Sequence, residues 1–144
     1  MYYVNEEQIG KRLSFIPVIT DALRSLVRLD GPGLTDFFAQ ERALHLAIEV
    51  VTDVGSLLID GFLMRDASSY EDIVEILRTE GVLPQQEADQ YLALVGLRRM
   101  LTQEYMDIDR TALREDLEAT ADLMDRFAPL VEAFVRKELQ GQGL

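Results

Sequence analysis

Cysteine is absent from the chain, which excludes disulfides, thiolate metal sites and thiol nucleophiles together. Its absence is compatible with a reducing cytoplasm. Histidine occurs once, at His45. Bundle di-iron sites draw a Glu-x-x-His pair from each of two helices, and a single imidazole cannot supply both. Lysine is nearly absent: Lys11 and Lys137 stand among 14 basic residues, and the others are arginine. Arginine forks suit carboxylates and phosphates better than lysine does, although a biased genomic composition gives the same skew. No stretch offers the ~18 uncharged apolar residues of a membrane span. "GSLLIDGFLM" is short and carries Asp60. The start, "MYYVNEEQIG", lacks the basic-then-apolar pattern of a signal peptide. The expectation is a soluble, cytoplasmic protein without a membrane partner.

What is present is helical patterning and acid. A chain of 144 residues fits one domain spanning 1–144, with an end fraying over 140–144. The net charge of −12 argues against DNA and against non-specific nucleic-acid binding, which depends on neutralising phosphates. A local basic patch could still bind RNA. No credible strand pair, internal repeat or low-complexity segment interrupts the 3.6-residue period.

Five helices are expected, over about 6–29, 35–64, 70–80, 84–105 and 110–140, folding as an all-α, antiparallel up-and-down bundle. Asn5 with Gln8, and Ser69 with Asp72, are spaced as capping boxes for the first and third. Pro17 and Pro129 lie inside the first and fifth helices, where each removes a hydrogen bond; Pro17 is expected to bend its helix, and Pro129 to kink the fifth or detach its last turns. Tyr2 and Tyr3 read as a hydrophobic cap on the bundle end. The second helix is apolar on several sides, which marks it as central or shared with a second subunit. Gly55 within it points to close approach of another backbone.

Two clusters could carry chemistry. Glu41, His45, Glu49 and Asp53 follow one another at four-residue spacing, a polar stripe through an apolar helix. Carboxylates with one histidine could hold a hard cation, but a satisfied seam between helices or subunits explains the stripe more simply, and no metal is assigned. "GLRRMLTQEYMDID", residues 96–109, sets two arginines, a glutamine and a tyrosine at the end of an apolar helix. At about 100° per residue, Arg98, Thr102 and Tyr105 share a face, with Arg99 and Gln103 on the neighbouring one. Arginines there oppose the negative end of the helix dipole for about 0.3–1 kcal/mol, which alone could account for them. A tyrosine at this spacing could equally pack its ring in the bundle and hydrogen-bond outward.

Three segments together resemble a known family. "ERALHLAIEVVTDVGSLLIDGFLMRD" looks like the second helix of HepT-like proteins, with their E-R-x-L-x-x-A-I-E and D-x-G signature. "SSYEDIVEILRTEGVLP" resembles their Ser-Tyr-led helix and following turn, and "LRRMLTQEY" sits where they carry R-x(4–6)-H-x-Y. The similarity extends over about Tyr3 to Lys137 and is strongest to the YutE-like branch.

The resemblance implies a HEPN-superfamily bundle, homodimeric, with the motif facing a cleft between subunits. It implies a metal-independent ribonuclease, the toxin of a type VII toxin–antitoxin pair, needing no cofactor. The implied partner is an MntA-like minimal nucleotidyltransferase that silences the toxin by adenylylating the motif tyrosine. Residue by residue, Arg98 is the motif arginine and Tyr105 the modifiable tyrosine. Gln103 stands at the histidine position and departs from the pattern. Glutamine neither takes up nor releases a proton at relevant pH, so the expected activity is weak or lost. His45, where the resembling segment more often has glutamine, could exchange roles with Gln103 if the stripe faces the same cleft. The alternative is a non-catalytic dimeric subunit that binds a nucleotidyltransferase or a nucleotide.

Overall fold

Apolar residues every three to four positions, closed by a polar cap, account for how the chain starts. In the computed structural model, which describes residues 2–141, Asn5 Oδ1 accepts from the Gln8 N–H at 3.2 Å and opens α1 (Glu6–Val27). The reciprocal half of the expected box is missing, because the Gln8 side chain accepts from Arg12 at 2.6 Å instead. α1 continues through Pro17 and buries Ile9, Leu13, Ile16, Ile19, Leu23 and Leu26 along one stripe.

Then follow α2 (Leu34–Gly61), α3 (Tyr70–Thr79), α4 (Gln85–Gly96), α5 (Arg98–Thr102), a 3-10 turn (Tyr105–Asp107), α6 (Arg110–Arg114) and α7 (Leu117–Gln140). No strand occurs among the described residues. The expected all-α bundle is what forms. Its fourth and fifth helices, however, are each divided in two. Leu97 separates α4 from α5, and a turn at Glu115–Asp116 separates α6 from α7. Pro129 leaves α7 unbroken. Gln140 is still helical, and residues 142–144 of the expected frayed end lie outside the described residues.

α2 is the central element, as its all-round apolar sequence predicts. It touches α1, α3, α4, α5 and α7. Ala47, Ile48, Val51, Val54 and Leu58 are fully buried in the one core that also holds Leu117, Met124 and Phe127 of α7. Gly55 admits side chains rather than the backbone expected: a Cβ there would collide with Ile73 of α3 and press Leu77 at 3.4 Å. The close backbone approach occurs at Gly61 instead. A Cβ on Gly61 would sit 3.0 Å from Val4 Cα, and the Tyr3 N–H donates to the Gly61 carbonyl at 3.2 Å. Of the two tyrosines read as a cap, Tyr2 packs edge-on against Phe62 at 4.9 Å, while Tyr3 stays exposed.

The seam between α1 and α7 is sealed by charge as well. Arg24 donates to Asp122 at 2.8 Å and to Asp125 at 2.7 Å, two carboxylates one turn apart on α7. The start of α3 is clamped more tightly. Ser69 Oγ accepts from the Asp72 N–H at 3.0 Å, and Asp72 takes a two-pronged pair from Arg65 at 2.7 and 2.8 Å plus the Ser68 N–H at 2.9 Å. The acid reaches back to Ser68, one residue before the cap.

Candidate active site

The motif segment leaves its helix earlier than the periodicity predicts. The Gln103 and Glu104 N–H groups both donate to the Arg99 carbonyl, at 2.8 and 3.1 Å, and the chain turns out of helical geometry there. Tyr105 therefore stands in the 3-10 turn, off the helix face it was expected to share with Arg98 and Thr102. It is 57% exposed, and Gln103 is exposed beside it. The tyrosine is not a packed core ring.

The far end of this segment is tied to α2. Asp109 caps α6 by accepting from the Ala112 N–H at 3.1 Å. Gln40, almost fully buried, donates to the Arg110 carbonyl at 3.0 Å, and Arg110 Nε lies 3.2 Å from Glu41 Oε1. The turn bearing Tyr105 is thus held between α5 and an anchored α6.

The polar stripe of α2 serves several neighbours. A four-residue step advances about 400°, so the stripe precesses by ~40° each time and faces successive elements. Glu41 meets Arg110 of α6, and Asp53 meets Arg12 of α1 at 3.3 Å. Between them, Glu49 Oε1 lies 3.2 Å from His45 Nε2 and 3.8 Å from Arg98 Nε. One carboxylate oxygen therefore joins the sole histidine to the motif arginine. Among the described residues no three carboxylate or imidazole side chains converge as a metal would require.

The two neighbours of His45 favour one tautomer of the neutral ring. Arg42 Nη1 lies 3.5 Å from Nδ1, and a guanidinium is only a donor, so Nδ1 is the acceptor. Nε2 then carries the hydrogen and faces Glu49 Oε1 at 3.2 Å, an ion-pair distance without the angle of a hydrogen bond. The imidazole is oriented by a carboxylate on one side and presents a lone pair, lightly covered by an exposed arginine, on the other.

Arg98 is held on two sides. Its guanidinium lies 3.9 Å over the centre of the Tyr70 ring, at the start of α3, and Nε faces Glu49. Nε is buried and makes no hydrogen bond of good geometry. The side chain as a whole is 28% exposed, so its open portion lies away from Nε. Neither terminal nitrogen donates to protein among the described residues. A planar fork with its outer edge free is a receptor for an oxyanion.

Sequence reasoning named Arg98, Gln103, Tyr105 and His45. The structure brings Arg98 and His45 together and sets Gln103 and Tyr105 on the exposed turn beyond. It adds Glu49, whose partnership with Arg98 no spacing could reveal, and Tyr70, visible beforehand only as part of a Ser-Tyr signature. The cavity of about 460 Å³ between α1 and α7, lined by Ile9, Leu13, Val131 and Val135, shares no residue with this cluster.

Comparison with known proteins bears on the family and the fold. The family model described as "Ribonuclease HepT-like" matches residues 29–131. The Bacillus subtilis (strain 168) protein named "Putative RNase YutE" is 32% identical over 139 residues, covering 96% of this chain and 95% of its own. The structure of YutE, described as a cytosolic protein of unknown function, superimposes with a TM-score of 0.88 over 96% of both chains. A tri-AMPylated HEPN toxin of Shewanella oneidensis, solved with its MNT antitoxin, is 16% identical with a TM-score of 0.78, covering 87% of this chain and 96% of its own. That last likeness is one of fold. With the family model spanning most of the chain and a relative matched almost end to end, this protein belongs to the ribonuclease HepT-like family.

Proposed function

We propose that the protein is a metal-independent ribonuclease of the toxin–antitoxin type, weakened at position 103, with His45 as its proton carrier. The observation that carries this reading is the shared oxygen of Glu49, which joins His45 and Arg98 in one cluster. In this scheme the free edge of Arg98 holds the scissile phosphate and stabilises its developing charge. His45 Nδ1 accepts the proton of the attacking 2′-hydroxyl, and Arg42 swings aside. The 2′-oxygen bonds to phosphorus as the bond to the 5′-oxygen breaks, leaving a cyclic phosphate and a 5′-hydroxyl. Glu49 orients the imidazole and balances the charge it gains, the arrangement by which a third group fixes a catalytic base. The leaving oxygen takes its proton from water, because the amide of Gln103 has none to give. Half of the proton traffic is assisted and half is not, which accounts for a slow enzyme.

The reading includes a homodimer, with the two Arg98 side chains facing a common groove. Phe38 and Met106 are large apolar side chains exposed on the elements that carry the site, and a partner subunit would cover them. It also includes an MntA-like nucleotidyltransferase as antitoxin, with the exposed hydroxyl of Tyr105 as the group adenylylated.

A non-catalytic subunit binding the same nucleotidyltransferase is the second reading. What favours it is that both ring nitrogens of His45 already have neighbours in the protein. Cleavage of single-stranded RNA by the purified protein separates the two. The ribonuclease reading predicts slow cleavage that falls by about 10²–10³-fold in Arg98→Ala. The binding-subunit reading predicts no cleavage, with a stable complex. Co-expression with the nucleotidyltransferase should add AMP mass to the peptide containing Tyr105, and an unmodified peptide counts against the antitoxin scheme.

A further inference from the structure

We propose that Tyr70 is a stacking platform for a base of single-stranded RNA, adjacent to the phosphate held by Arg98. The proposal rests on the ribonuclease reading above and adds to it the residue that recognises the nucleoside.

The geometry points there first. One face of the Tyr70 ring lies under the Arg98 guanidinium at 3.9 Å, yet the residue remains 41% exposed. Ile73, Val74 and Leu77, which follow it on α3, are buried in the core. An aromatic ring that could have turned inward with them stands instead at the surface, one face under the arginine and part of the residue accessible. A phosphate and its own base are joined through a single ribose. A nucleotide anchored by the outer edge of Arg98 therefore brings its base beside the ring on which that arginine rests.

Rigidity is the second reason. The Ser69 cap, the Arg65 fork on Asp72 and the Ser68 N–H fix the backbone where Tyr70 leaves it. A ring held in place before binding loses little freedom when a base stacks on it. The flexible, solvent-exposed alternative would offer the same surface at greater entropic cost.

Charge is the third. Nucleic-acid affinity is ordinarily dominated by phosphate contacts, and a chain of net charge −12 offers few. Single-strand binders compensate by stacking bases on aromatic side chains, which tolerates any sequence because every base has a π-face. The cation on one side of Tyr70 polarises the ring, and an arginine–tyrosine–base stack results. The substrate class implied is unpaired RNA, with little preference among bases, rather than a duplex whose bases are already stacked.

The chain contains no tryptophan, so Tyr70→Trp installs a single indole at the proposed platform. Titrating this variant with a short single-stranded oligoribonucleotide should quench its fluorescence to saturation. An oligomer lacking the base beside the bound phosphate should quench it far less. In parallel, anisotropy of labelled RNA should show binding weakened roughly 5- to 150-fold in Tyr70→Leu, and retained in Tyr70→Phe. Were Tyr70 merely a support for Arg98, the loss in Tyr70→Leu would be the same for intact and base-free RNA, and that equality overturns the platform. If Tyr70→Leu binds as the wild type does while Arg98→Ala weakens binding, the platform is again overturned and the ribonuclease reading stands. RNA that fails to bind the wild-type protein at all overturns both.

Discussion

Gln103 and His45 are the two residues at which the proposed chemistry departs from the motif that the resemblance implies. An amide can hydrogen-bond to a phosphate but cannot carry a proton, and at position 103 it stands exposed, just where the helix ends. Restoring an imidazole there should supply the acid that the leaving oxygen lacks. Gln103→His is expected to raise RNA cleavage, by up to about 10²-fold for an added general acid, measured as initial rate on a single-stranded substrate. A variant no faster than wild type would mean that position 103 is too far from the phosphate at Arg98 to serve it. Residue types were legible before any fold was known, because arginine, histidine and glutamine announce their chemistry. Their partnership was not: residues 49 and 98 meet only because α5 packs across α2, and no local spacing encodes that crossing.

At the scale of elements, caps and periods told most. Asn5, Ser69 and the apolar stripe of α2 each led to the helix found. The divisions at Leu97 and at Glu115–Asp116 escaped because Leu97 and Glu115 keep backbone angles close to helical and no proline marks either break. The early end of α5 escaped because no glycine or proline marks it, and with it the placing of Tyr105. The α3 start makes a prediction of its own. The Arg65 guanidinium, with help from the Ser68 N–H and hydroxyl, holds the Asp72 carboxyl well below the usual carboxylate range. A carboxyl whose folded value is depressed stabilises the fold above its unfolded value, near 3.9 for aspartate, and that contribution is lost as pH falls toward the folded value. Urea midpoints should therefore drop more steeply on acidification in wild type than in Asp72→Asn, which is weaker at neutral pH and flatter below about pH 4. Equal slopes would show that the clamp does not hold this helix start. Because Tyr70 sits on that start, the same acidification should loosen the support beneath Arg98.

For the whole molecule, composition excluded more than it assigned. The all-α bundle followed from the helical period, and no helix among the described residues is long and apolar enough to cross a membrane. The fold assembles one arginine-centred cluster from α2, α3 and α5, and the proposed RNA chemistry rests on it. The homodimer belongs to this scale. Solution mass by light scattering should be close to twice the 16.3 kDa of one chain, and substituting the exposed Phe38 and Met106 with aspartate should shift it toward one chain. A monomer in the unsubstituted protein would remove the shared groove.

The central claim is that proton transfer, displaced from position 103, is carried by His45. Its most direct measurement is the single-turnover rate of RNA cleavage by wild type and His45→Ala, with the substrate saturating. Loss of about 10²-fold or more in the alanine variant, with RNA still bound, is what the account predicts. An alanine variant that cleaves as fast as wild type would contradict it.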